Sequence, residues 1–78
     1  MTTFEIITHY TPEPGNPCHL DDRITKAVGF PSSFSGCGMR EGATRDLGFQ
    51  TNSFAEACEA RLRALNVLGV RTVFIREQ

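Results

Sequence analysis

Residues 32–51 read SSFSGCGMREGATRDLGFQT, and what this stretch does decides the fold. It has no apolar stripe at helical spacing, carries glycine at positions 36, 38, 42 and 48, and lies between two helical patterns. A hairpin satisfies those constraints, with one strand over 33–40, a turn around Glu41-Gly42 and a second strand over 43–50. If the turn has two residues, Phe34 faces Phe49 and Gly36 faces Leu47 on one side, while Cys37 faces Asp46 on the other. Glycines specify register poorly, and a glycine-rich loop over the first half is the other reading.

Upstream, residues 3–10 alternate, with Phe4, Ile6, Thr8 and Tyr10 on one side and Glu5, Ile7 and His9 on the other, the pattern of a half-buried strand. The tract TPEPGNP at 11–17 breaks it, and Pro14-Gly15 suits the centre of a type II turn. Asn16 as cap and Pro17 at the first helical position predict a helix over 17–28, with Asp21 and Asp22 in its early turns and Leu20, Ile24, Ala27 and Val28 as its apolar stripe. Gly29-Phe30-Pro31 stops it.

Downstream, Ser53-Phe54-Ala55-Glu56 has the form of a capping box. Phe54, Cys58, Leu62 and Leu65 recur at helical spacing with Ala55 and Leu68 beside them, so this stripe is expected to face the core. Glu59 and Arg63 form an i,i+4 pair on the wet side, and Gly69 ends the helix. VRTVFIR at 70–76 then reads as a closing strand.

The order strand, helix, strand, strand, helix, strand, with short connections and right-handed crossovers, predicts an α+β ferredoxin-like split β-α-β sandwich. One domain over 1–78 would place both helices on one face of a four-stranded antiparallel sheet. The other face is then left bare, carrying Glu5, Ile7, His9, Cys37, Asp46, Gln50 and part of the Val73–Ile75 run. A bare face with isoleucine and valine on it invites a partner.

Composition narrows the function classes. Eight basic against nine acidic side chains leave a formal charge of −1, too little positive field for electrostatic nucleic-acid binding. No apolar run reaches the ~20 residues of a membrane helix, and Glu5 and His9 sit where a secretory leader needs an apolar core. Three cysteines, an odd number without a CxxC, predict free thiols and a cytoplasmic location. Seven arginines against the single Lys26 fit either a contact surface or genomic compositional bias.

The chemistry-bearing groups are sparse. His9, Cys37 and Asp46 share the bare face under the two-residue turn, a grouping that would let a base activate a thiol. A catalytic site also needs a concave pocket and a supporting shell that so short a chain hardly supplies, so no enzyme is expected. Cys18, His19, His9, Cys37 and Cys58 lack the close pairing that zinc ligands show, so neither metal nor cofactor is expected. The string from Gly36 to Gly42 lacks the lysine of a P-loop and leads into a strand rather than a helix. An RRM-type surface would need paired aromatics on the central strands, where this chain offers Glu5, Ile7, His9, Asp46 and Gln50.

The expectation is therefore a non-enzymatic protein-binding module. Ile7 and Phe74 would form its apolar patch, with His9, Arg40, Arg45 and Asp46 around it. A protein partner is expected, and a homodimer through the same open face is a further possibility. A metabolite-sensing module of the same architecture is the alternative. In size and inferred architecture the chain resembles some anti-CRISPR proteins. That resemblance implies a phage or mobile-element inhibitor that blocks a host defence complex by occupying its surface.

Overall fold

The computed structural model describes residues 2–37 and 44–78. Six elements follow one another: β1 (Phe4–Tyr10), α1 (Asp21–Val28), β2 (Phe34–Cys37), β3 (Arg45–Thr51), α2 (Phe54–Leu65) and β4 (Val70–Glu77). The strands form one antiparallel sheet in the order β2-β3-β1-β4. With α1 and α2 packed on one face, this is the α+β, ferredoxin-like sandwich expected. The inferred turn at Glu41-Gly42 lies outside the described residues.

The Pro-rich tract settles into turns rather than the start of a helix. Asn16 N–H donates to Glu13 O at 3.0 Å around Pro14-Gly15, and Gly15 has φ +83°, which is the expected type II turn. The next bonds also close over three residues, His19 N–H to Asn16 O (3.2 Å) and Asp21 N–H to Cys18 O (3.0 Å). The ladder to the fourth preceding residue begins only with Ile24 N–H on Leu20 O at 2.9 Å. Helix α1 therefore starts at Asp21, four residues later than the Asn16-Pro17 signal suggests, because the carbonyls of Asn16 and Cys18 are already used in turns. It ends as expected, with Gly29 left-handed at φ 95° and its N–H on Thr25 O.

At α2, Ser53 Oγ accepts from Glu56 N–H at 3.2 Å. The reciprocal half of the capping box is replaced by Thr51, whose Oγ1 accepts from Ser53 N–H at 3.3 Å.

The face that α2 buries differs from the sequence expectation. Ala57, Ala60 and Ala64 are fully buried, while Phe54, Leu62, Leu65 and Leu68 are exposed and Cys58 is half-buried. The reason is volume. The sheet contributes Ile6, Tyr10, Leu47, Phe49 and Val73 to the core, and α1 contributes Leu20, Ile24 and Val28. With the space between the layers filled from below and from the side, only methyl groups fit beneath α2, and its larger side chains turn to the flank.

Two side-chain bonds reinforce the sheet, one within it and one from α2. Thr8, fully buried, donates from Oγ1 to Leu47 O at 2.8 Å. Arg61 Nε donates to Val73 O at 3.1 Å, covering a carbonyl of the edge strand β4.

Candidate binding face

No helix among the described residues lies over the opposite face of the sheet. Its residues fall into rows that cross the strands, because register partners on adjacent strands lie side by side. The middle row is Phe34, Gly48, Ile7 and Phe74. On one side runs the row Gly36, Asp46, His9 and Thr72, and on the other Gln50, Glu5 and Arg76. An apolar strip thus spans all four strands between two polar ones.

Gly48 makes the strip continuous. The Phe34 ring lies directly over it, so that a methyl group at Gly48 would collide with the ring. An aromatic side chain covering a strand glycine restores the packing the glycine lacks. Phe74, at the other end of the strip, is 55% exposed, and Ile7 between them is half-buried.

The flanking rows are held by polar side-chain pairs. His9 Nδ1 and Asp46 Oδ1 are 2.7 Å apart, and Thr44 Oγ1 donates to the same carboxylate oxygen at 3.3 Å. The His9 ring meets Phe74 edge-on, with centroids 5.4 Å apart. Across the strip, Arg76 donates from Nε (2.9 Å) and Nη2 (2.6 Å) to Glu5 Oε1. Glu5 is almost completely buried. The Arg76 hydrogen bonds outweigh the burial penalty and hold the Glu5 carboxyl below its ordinary value.

One of the expected contact residues needs re-placing. Ile7, His9, Asp46 and Phe74 do share the open face. Arg45 does not: it pairs with Tyr10 in the β1–β3 register and lies on the helical side. There its Nη2 is 2.6 Å from Asp21 Oδ2, and the Tyr10 hydroxyl donates to the other Asp21 oxygen. Arg45 is therefore a structural cation joining β3 to α1. Arg40 lies outside the described residues. Cys37 pairs with Arg45, and the position opposite Asp46 belongs to Gly36. The hairpin register is thus displaced by one residue from the two-residue-turn reading, which separates the inferred His9, Cys37 and Asp46 group.

The same displacement moves Phe34 onto the open face, where sequence reasoning had not put it. One more group was missed. A bulge in the β1–β4 ladder pairs Tyr10 with Val70 and His9 with Thr72, leaving Arg71 without a partner on β1. Arg71 then lines a shallow cleft of about 220 Å³ together with His9, Thr44, Thr72 and Phe74.

Among the described residues, no three His, Cys, Asp or Glu side chains gather as a metal site would require. No helix among them is long and apolar enough to cross a membrane. No family model matches the chain, and neither a curated protein nor a solved structure matches it.

Proposed function

We propose that the chain is a non-enzymatic protein-binding module whose working surface is the open face of the sheet. The observation that carries this reading is the strip Phe34–Ile7–Phe74, two exposed aromatics with the half-buried Ile7 between them, bordered by the fixed pairs His9–Asp46 and Glu5–Arg76. Protein interfaces favour such a layout, with a few aromatic anchors in a polar surround whose side chains are already ordered before contact. The exposed flank of α2 is the competing surface. Its anchors are mainly leucines, which are under-represented among energetically dominant contacts.

The metabolite-sensing alternative is less well supported. A cleft of about 220 Å³ falls below the ~300–1,000 Å³ of small-molecule sites, and it is open rather than enclosed. A thiol enzyme built on Cys37 with His9 and Asp46 is disfavoured by the register, which sets Gly36 and not Cys37 across from Asp46. Occlusion of a partner's surface, as practised by phage or mobile-element inhibitors of host defence complexes, is the mode of action we assign to this platform.

Phe74→Asp and Ile7→Asp are expected to reduce partner capture from host lysate at least tenfold, read by quantitative mass spectrometry, while Leu62→Asp leaves capture unchanged. Loss with Leu62→Asp and retention with both sheet variants would move the working surface to α2. A second copy as the occupant would show as a dimer of the free chain in sedimentation, abolished by the same two sheet variants.

A further inference from the structure

The cleft beside Phe74 has a chemistry of its own. Strand alternation would send residue 71, like Val73, to the helical side of β4, where Val73 is buried. The bulge at His9/Tyr10 breaks that alternation and brings Arg71 to the wall of the open-face cleft, beside Thr72. Bulges recur where a strand must re-aim a side chain.

The cleft sets one cation, Arg71, among polar and aromatic walls. Arg71 supplies a guanidinium whose planar fork matches a carboxylate, and Thr72 supplies a hydroxyl, while the Thr44 hydroxyl proton is already given to Asp46. His9 forms a further wall, with its Nδ1 edge committed to Asp46 and its Nε2 edge free of that bond. Phe74 supplies an apolar rim that continues into the strip through Ile7. No carboxylate side chain lines the cleft among the described residues, because Asp46 is turned to His9 and Thr44. A guanidinium and a hydroxyl beside an apolar rim, with the nearby Asp46 carboxylate already held by His9 and Thr44, complement an anion joined to an apolar group.

We infer that the cleft at Arg71 receives an aspartate or glutamate carboxylate of the protein partner, with a neighbouring apolar side chain of that partner lying on Phe74. This rests on the open-face reading above and names the chemistry of the segment that reading requires. The volume of about 220 Å³ suits one acidic side chain rather than a larger ligand.

Two peptides test it, Ac-Leu-Asp-Leu-NH₂ and its isostere Ac-Leu-Asn-Leu-NH₂, titrated into ¹⁵N-labelled full-length chain. The aspartyl peptide should shift the His9, Thr44 and Thr72 amides and the Arg71 Nε–H, and bind about tenfold more tightly than the asparaginyl peptide. Arg71→Gln should abolish that difference while leaving the remaining amide spectrum and the unfolding midpoint as in the wild type. Equal affinity for both peptides, shifts confined to other surfaces, or an undiminished preference in Arg71→Gln would overturn the inference. Lysate capture separates the two levels. Loss with Phe74→Asp but full retention with Arg71→Gln would keep the open face and refute the carboxylate, whereas retention with both would refute the open face itself.

Discussion

Ala60→Leu should destabilise the domain by about 3 kcal/mol, the upper part of the range for overpacking, whereas Leu62→Gln should shift stability by no more than about 0.5 kcal/mol. Two residues apart on α2, these positions invert the usual expectation about leucine and alanine. Ala60 is fully buried, and the space below it is occupied by side chains from the sheet and α1. Three added carbons there must either lift the helix or force core side chains from their rotamers. Leu62 is 60% exposed and contributes little to the core. Urea unfolding with an unchanged slope for both variants would assign the difference to stability alone. A strongly destabilised Leu62→Gln and a tolerated Ala60→Leu would mean that α2 is rotated about its axis, with the Phe54–Leu65 stripe inward.

Arg45→Glu should be comparably damaging, costing about 3 kcal/mol at neutral pH. Breaking a fully buried ion pair costs ~3–5 kcal/mol, and the Arg45 and Asp21 side chains are 12% and 21% exposed, which places the effect at the lower end. The substitution also sets a second carboxylate against Asp21. Domains have only ~5–15 kcal/mol in hand, so the variant should be partly unfolded at 37 °C. The network has a pH signature as well. Burial alone would raise the Asp21 carboxyl, but hydrogen bonds from Arg45 and Tyr10 outweigh it and hold the group below its ordinary value. A depressed carboxyl stabilises the fold above its unfolded value of ~3.9, and that contribution disappears as pH falls through the lower folded value. Tyr10 behaves in the opposite sense. Burial and the bond to Asp21 push its phenol up to about 12, so its contribution is full below pH ~10 and is lost as pH rises from there towards 12. Arg45→Gln should flatten the acid limb of a stability–pH curve measured by urea unfolding. An acid limb identical to wild type would show that Asp21 does not depend on Arg45.

The fold was legible because each element carried its own punctuation. Gly29 takes up the left-handed conformation at the end of α1, Ser53 caps α2, and alternation in β1 separates Ile6 and Tyr10 from Ile7 and His9. The ends and faces that failed did so where a local signal competed with packing. Pro17 is an acceptable first residue of a helix, yet the turn bonds of Asn16 and Cys18 take precedence over it. The Phe54–Leu65 stripe is periodic, but periodicity cannot tell which face has room, and three alanines occupy the tighter one. The open face was half legible. Ile7, His9, Asp46 and Phe74 follow from strand parity alone. Phe34 depends on the hairpin register, which glycines at 36 and 48 leave underdetermined, and Arg71 depends on a bulge that leaves no trace in alternation.

All of the functional reading depends on an apolar strip reaching across the sheet, and that in turn depends on Phe34 lying over Gly48. Nuclear Overhauser contacts between the Phe34 ring protons and the Gly48 α-protons measure it directly. The account predicts strong contacts, with one Gly48 α-proton shifted upfield by the ring. Contacts from Phe34 to the Phe49 side chain instead, with ordinary Gly48 shifts, would restore the alternative register, remove Phe34 from the open face and contradict the account.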